Sequence, residues 1–225
     1  MDLLHYLHLQ LRLEGKSPVD HDRLRQVEIV PEEEMPLILI AQLADDQIIA
    51  YYDETLPSEL HIELSKRIQN VIFPKIEPLL NVLKTQSISF EVGHYKTYLF
   101  PSHFVDLSND NVTVLHKQDP NVQAFGFDGF AEQVYAIERQ SRIISACVST
   151  RENEFCGEAW VYTDPEFRNR GNAQKVVGIW AKSLISARKV PFYSHKIQND
   201  ASANLAKRLG LQPVFEEIVV SYSKN

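Results

Sequence analysis

The stretch DPEFRNRGNAQKVV, residues 164–177, decides how the rest of the chain is read. Ahead of it lies a strand-like run, EFCGEAWVYT. Behind it Ala173, Val176, Val177, Trp180 and Leu184 recur at spacings of three and four, the mark of an amphipathic helix laid on a sheet. Between strand and helix sits RNRGNA, residues 168–173, a small, positive, glycine-containing turn. The first backbone N–H groups of a helix lack intrahelical partners, and the helix dipole adds partial positive charge there. Gly171 lets a backbone approach a ligand where a Cβ would collide. Arg168 and Arg170 add charge and paired hydrogen bonds. A phosphate or pyrophosphate is the natural guest; the alternative is a surface connection with solvated arginines. No GxxxxGK[ST] is present and no GxGxxG follows a strand, so neither the mononucleotide P-loop nor the Rossmann fingerprint applies.

Outward from this turn, VTVLHK, QVYAIER and RIISACVST read as successive strands upstream, and FYSHKI after Pro191 as one downstream. Residues 200–209 read as a second helix, with Ala201, Leu205 and Leu209 four apart and Gly210 as its stop. VFEEIVVSY closes the chain as a strand. The first half reads as a helix within residues 1–13, then PLILIAQL and QIIAYY as a hairpin about Ala44, Asp45 and Asp46. A helix after Pro57 follows, with Leu60, Leu64, Ile68 and Val71 at helical spacing, interrupted or restarted at Pro74 and Pro78. YKTYLFP is a short strand candidate. The whole is a mixed α+β or α/β pattern, divided into an N-terminal α+β region, 1–110, and a second domain, 111–225.

A chain of 225 residues with 44% hydrophobic content can bury a sizeable core. Its formal net charge of -7 argues against general nucleic-acid binding, which needs a broad basic surface. No apolar run approaches the ~18–20 residues that span a bilayer, and MDLLHYLHLQLRLEG lacks the features of a signal peptide, so no membrane is expected and cytoplasm is the default location. Cys147 and Cys156 are expected as free, buried thiols, although a hairpin about residues 151–154 could bring them near each other. No ligand set for zinc surrounds them, His5 and His8 make no metal pair, and no GxSxG or HExxH is present.

Three segments together resemble the GNAT superfamily of N-acetyltransferases, which bind acetyl-CoA. Arg168-x-x-Gly171-x-Ala173 matches the family's [RQ]-x-x-G-x-[GA] pyrophosphate loop. VYTDPEFR is similar to the fourth strand and its approach, with Thr163 where valine is common, and NDASANLAKRLGL resembles the later "N-x-x-S/A…LGF" segment. PFYS, residues 191–194, matches the PLYS of a bacterial-type subgroup. The resemblance covers about residues 110–225. It implies a mostly antiparallel, splayed sheet flanked by helices, with coenzyme A entering where the fourth and fifth strands diverge. It also implies backbone pairing of Val161 and Thr163 with the pantetheine arm. Arg168, Asn169, Arg170, Gly171, Asn172, Ala173 and Gln174 would enclose the pyrophosphate, with Asn199 and Ser202 as further contacts. Asn199 has a competing local role as a helix N-terminal polar residue.

Direct acetyl transfer to the amine of a small molecule or protein needs a neutral nitrogen, so a base or water relay is useful. Glu158 is the candidate, although its offset from the loop differs from the family pattern by about one residue; the alternative is a strand-edge or solvent-facing glutamate. The family's tyrosine before KLGF, which protonates the leaving thiolate, is replaced by Ala206. Tyr193, Ser194 and His195 are the nearest substitutes. No metal is required for this chemistry, and a homo-oligomer is open. The missing tyrosine keeps a catalytically weak acyl-CoA-binding regulatory module in view, and a cofactor-free interaction domain is a third reading.

Overall fold

The computed structural model describes residues 2–30, 34–101, 104, 111–127, 129 and 132–223. In chain order the elements are α1 (Leu3–Leu13), β1 (Lys16–Pro18), β2 (Arg23–Gln26), β3 (Ile38–Leu43), β4 (Ile48–Asp53), α2 (Ser58–Ile68), α3 (Glu77–Thr85) and β5 (Phe90–Leu99). There follow β6 (Thr113–His116), α4 (Pro120–Phe125), β7 (Gln133–Arg139), β8 (Arg142–Glu152), β9 (Cys156–Thr163), a 3-10 turn (Pro165–Phe167), α5 (Asn172–Ser186), β10 (Val190–Lys196), α6 (Asp200–Arg208) and β11 (Gln212–Tyr222). These form two compact units, Met1–Lys96 with Val214–Asn225, and Thr97–Pro213.

In the first unit, β3 and β4 make the antiparallel hairpin expected from the sequence, turning through Asp46 at φ 66°. The proline reading also has a structural counterpart: α2 ends at Ile68, and α3 begins at Glu77 with Pro78 in its first turn, where a missing N–H costs nothing. β11 pairs antiparallel with β3 from Phe215–Leu43 to Val220–Ile38. Leu37, Ile38, Ile40, Leu64, Leu79, Leu83, Ile218 and Val220 then close one core. The boundary expected near residue 110 therefore differs from the units found. The last strand joins the first unit because its alternating apolar residues are buried against β3 and the helices, a pairing across nearly the whole chain.

In the second unit, β6, β7, β8 and β9 pair antiparallel in sequence order, and β9 pairs parallel with β10. β8 is the spine. Ile143, Ile144, Ser145, Ala146, Cys147, Val148 and Ser149 are all buried, which only a strand covered on both faces tolerates. On one face Cys147 meets Val176, Val177, Trp180 and Leu184 of α5. On the other, Ala146 and Val148 pack with Val122 and Phe127 of α4 and the turn after it. Gly157 lets α5 lie close to β9, since a Cβ there would stand 2.9 Å from the Leu184 Cδ1. Helix α4 has the local signals of a short helix: Asp119 accepts from Asn121 N, Pro120 opens it, and Gly126 closes it at φ 83°. Both cysteines are buried and neither is in a disulfide. Val161, not Cys156, stands opposite Cys147, so the thiols lie about five residues apart along the ladder, roughly 16 Å at the strand rise.

A polar wire crosses this core. The Trp180 Nε1 donates to the Ser149 Oγ at 2.9 Å, and Ser149 donates to the Glu152 Oε2 at 2.5 Å. Lys189 bonds the other Glu152 oxygen at 2.7 Å. Trp180→Phe removes a buried donor and should destabilise the protein by about 1–3 kcal/mol in urea titrations. In a Ser149→Ala background the same change should cost less, because the acceptor has gone too.

Candidate functional site

Parallel pairing of β9 with β10 runs through Cys156–Val190, Gly157–Pro191 and Glu158–Phe192 and then stops, although both strands continue. Beyond Glu158 the chain of β9 keeps β8 on one side, with Ser149 opposite Ala159, Cys147 opposite Val161 and Ser145 opposite Thr163. On its other side a cleft opens. A cavity of about 360 Å³ occupies it, walled by Val161, Tyr162 and Thr163 of β9, Tyr193 of β10, the loop into α5, and residues of α6.

The loop has the geometry of an anion nest. Arg168 is extended, Asn169 is left-handed at φ 61°, and Gly171 is left-handed at φ 78° as the N-cap of α5. No side chain caps this helix, and its first bond runs from Lys175 N to Gly171 O at 3.2 Å. The N–H groups of Asn172, Ala173 and Gln174 therefore precede the first intrahelical donor, at the end carrying the positive dipole. Side chains brace the turn instead of filling it. The Asn172 Nδ2 donates to Phe167 O at 3.0 Å, the Arg168 Nε to Thr163 O at 3.0 Å, and the Gln174 Nε2 to Arg208 O at 3.2 Å. A Cβ built at Gly171 would meet nothing in the protein closer than the Gln174 Oε1, at 3.8 Å. Within the protein, glycine is required by φ and not by crowding.

Ten of the residues expected around the cofactor line this one cavity: Val161, Thr163, Arg168, Asn169, Gly171, Asn172, Ala173, Gln174, Asn199 and Ser202. Arg170 does not. Its guanidinium lies over the Phe167 ring, 5.4 Å from the centroid. Asn199 caps α6, its Oδ1 accepting from Ser202 N at 3.1 Å, so the local role assigned to it is present in the fold.

Glu158 is not part of the lining either. It is buried where the strands part, and its Oε2 accepts from the Arg151 Nε at 3.0 Å and also from the Nη2. Arg151 stands directly opposite on β8 because the register slips between Ser149 and Arg151. A buried carboxylate held by a half-buried guanidinium is neither a strand-edge glutamate nor an unencumbered base.

The structure separates the three substitutes for the missing tyrosine. Ser194 shares a hydrogen bond of 3.0 Å with Thr97. Both ring nitrogens of His195 are engaged, Nδ1 with Lys196 O at 2.9 Å and Nε2 with the Tyr98 hydroxyl at 3.3 Å, and the ring stacks on Tyr98. Tyr193 alone of the three lines the cavity. Burial pushes its hydroxyl up to about 12, against the opposing pull of a hydrogen bond with Ser202, so the phenol stays protonated at neutral pH. Ala206, fully buried, joins the apolar cluster that contains Tyr193. Among the described residues no group of three or more His, Cys, Asp or Glu is placed to hold a metal, and no helix is long and apolar enough to cross a membrane.

A family model for the GNAT acetyltransferases matches residues 115–218. The uncharacterized N-acetyltransferase YdfB of Bacillus subtilis is 25% identical over 185 residues, 76% of this chain and 70% of that protein. Among solved structures, an acetyltransferase of the GNAT family from Novosphingobium aromaticivorans has a TM-score of 0.50 at 17% identity. That match covers 60% of this chain and 66% of the other, just under two thirds. A GNAT-family acetyltransferase from Colwellia psychrerythraea has a TM-score of 0.51 at 10% identity, over 87% of this chain and 84% of its own. A functionally unknown protein from Staphylococcus epidermidis reaches 0.52 at 12% identity, over 93% and 94%. At these identities the solved structures establish a shared fold, and the last two share it well beyond residues 115–218.

Gly171→Ala should destabilise the protein by about 1–2 kcal/mol, the cost of a Cβ at left-handed φ, measured as a lower urea midpoint at unchanged slope. Stability should also fall as pH rises from about 10 towards 12. The raised folded-state value of Tyr193 means its proton is lost more readily on unfolding, so the contribution is complete below the unfolded value near 10 and fades above it. Tyr193→Phe should make that fall shallower, in urea titrations at pH 8, 10 and 11.

Proposed function

Through residues 115–218 the chain belongs to the GNAT superfamily of N-acetyltransferases, and on that premise we propose that it moves an acetyl group from acetyl-CoA directly to an amine. The observation that carries the reading is the coincidence of the β9 edge from which β10 departs with an uncapped, left-handed nest on a single cavity. The pyrophosphate of acetyl-CoA is the anion that fits the nest, received by the N–H groups of Asn172, Ala173 and Gln174 beside Arg168, Asn169 and Gly171. The pantetheine arm, which carries amide donors and acceptors, lies along Val161 and Thr163 as an added strand would, satisfying backbone groups that β10 leaves behind. Asn199 and Ser202 face it from the start of α6.

The thioester then reaches the fork at Glu158 and Phe192. A neutral amine attacks its carbonyl carbon, the C–N bond forms, the C–S bond breaks, and the departing thiolate takes a proton. Tyr193 is the donor in this scheme, a protonated phenol in the cavity wall. Glu158 takes up the amine's proton only through a relay, because its carboxylate is already held by Arg151. The acceptor is a small-molecule or protein amine. Family membership favours turnover over a weak acyl-CoA-binding module, despite the missing tyrosine at Ala206.

Calorimetric titration with acetyl-CoA tests the reading. Saturable binding to the wild type, lost in a Gly171→Glu variant whose circular dichroism is unchanged, supports it; no binding to folded wild type removes it. With an amine that turns over, Tyr193→Phe should lower kcat by about a hundredfold with little change in acetyl-CoA affinity. Ala206→Tyr should not restore the missing acid, and should destabilise by about 1–3 kcal/mol through overpacking of a fully buried position.

A further inference from the structure

Phe167, in the 3-10 turn before the nest, is ringed by arginines. The guanidinium carbons of Arg139, Arg142 and Arg170 lie 5.7, 5.6 and 5.4 Å from its ring centroid. Arg139 and Arg142 stand opposite each other across the β7–β8 turn, and like charges so placed are destabilising on their own. Arg142 faces Asp164 at 3.4 Å and Glu166 at 3.5 Å, both long for such bonds. Among the described residues neither Arg139 nor Arg170 has a carboxylate partner. With Arg168, which lies over Tyr162, the locality holds four arginines against two carboxylates, in a chain whose net charge is -7. Phe167 itself lines the cavity, so the cluster borders the mouth of the proposed cofactor site without being part of the nest.

We propose that Arg139, Arg142 and Arg170 form a second anion subsite that takes a phosphomonoester, namely the 3′-phosphate on the ribose of the same coenzyme A. The inference rests on the acetyl-CoA reading above. A phosphomonoester carries close to two negative charges at neutral pH and offers three terminal oxygens, which suits several guanidiniums gathered about one ring better than a diester does. Its arrival offsets the repulsion between the paired Arg139 and Arg142. The ring holds the guanidinium planes by cation–π contact, so part of their ordering is complete before the ligand comes. It also accounts for why Arg170, set inside the pyrophosphate loop, turns onto Phe167 and leaves the nest to backbone N–H groups. Positive charge at the rim further raises the encounter rate of an anionic ligand with an acidic protein.

Paired calorimetric titrations with acetyl-CoA and acetyl-3′-dephospho-CoA, at low and at moderate salt, test the proposal. Wild type should bind acetyl-CoA about tenfold more tightly, with the ratio narrowing as salt screens the exposed arginines. The double variant Arg139→Gln, Arg142→Gln should bring the ratio close to one by weakening acetyl-CoA alone. Arg139→Gln by itself, which leaves the contacts of Arg142 with Asp164 and Glu166 in place, should lower the ratio part of the way and serves if the double variant does not fold. Equal affinities in the wild type, or a ratio that survives both variants, overturn the subsite. A melting shift with inorganic phosphate, lost in the variants while the two cofactors bind alike, makes the cluster a free-phosphate site and equally overturns its assignment to the cofactor. If neither cofactor binds folded wild type, the acetyl-CoA reading itself has failed, an outcome distinct from equal binding of both.

Discussion

The rest of the site depends on the early end of one parallel pairing. β9 and β10 bond over three residue pairs and then part, so that beyond Glu158 the ladder of β9 continues with β8 and not with β10. Backbone N–H and C=O groups are obligatory hydrogen-bonding groups, and a strand edge inside a cleft is a standing demand for a partner. The cavity, the open nest at its mouth and the buried phenol of Tyr193 are all arranged around that edge. Had the pairing continued, the chain would have a complete sheet and no cleft.

What holds the fork open is rigid. β8 is buried on both faces and pinned to α5 through the bond from Trp180 to Ser149, while Gly157 allows the helix to sit close to β9 just before the strands part. The first turn of α5 is tied to the end of α6 through Gln174 and Arg208. The loop conformation between Arg168 and Gly171 is thus set by packed elements on either side. Preorganisation of this kind spares the ordering that a mobile loop would undergo on binding an anion.

The charges divide by depth. Deep in the fork Glu158 is neutralised by Arg151, as a buried carboxylate must be. At the rim Arg139, Arg142 and Arg170 share the Phe167 ring, and among the described residues only Arg142 adds carboxylates, two of them at long range, because exposed guanidiniums can rely on water. The same residue type is therefore structural at one end of the cleft and available at the other.

Local pattern determined a good deal. The turn before α5 was legible because its requirements are local: a left-handed residue that wants glycine, a helix start immediately after it, and small residues beside it. The hairpin of β3 and β4, the amphipathic face of α5 and the restart of the helix at Pro78 follow from turn chemistry, periodicity and the missing N–H of proline in the same way. Short α4 carries its own local signals, the Asp119 cap, Pro120 at its start and Gly126 at its end. Tertiary structure alone decided what depended on distant partners. β11 joins the first unit because β3 lies ready to pair with it, some 170 residues away in sequence. Glu158 is committed to Arg151 because a bulge in β8 shifts the register by one residue, and no periodicity announces a bulge. Alternation along β10 turns Ser194 away from Tyr193, towards Thr97, while His195, on the same face as Tyr193, is held by Lys196 O and the Tyr98 hydroxyl; those partners are fixed only by the tertiary fold. Spacing along a chain encodes backbone conformation; which groups meet across the cleft is encoded in the packing.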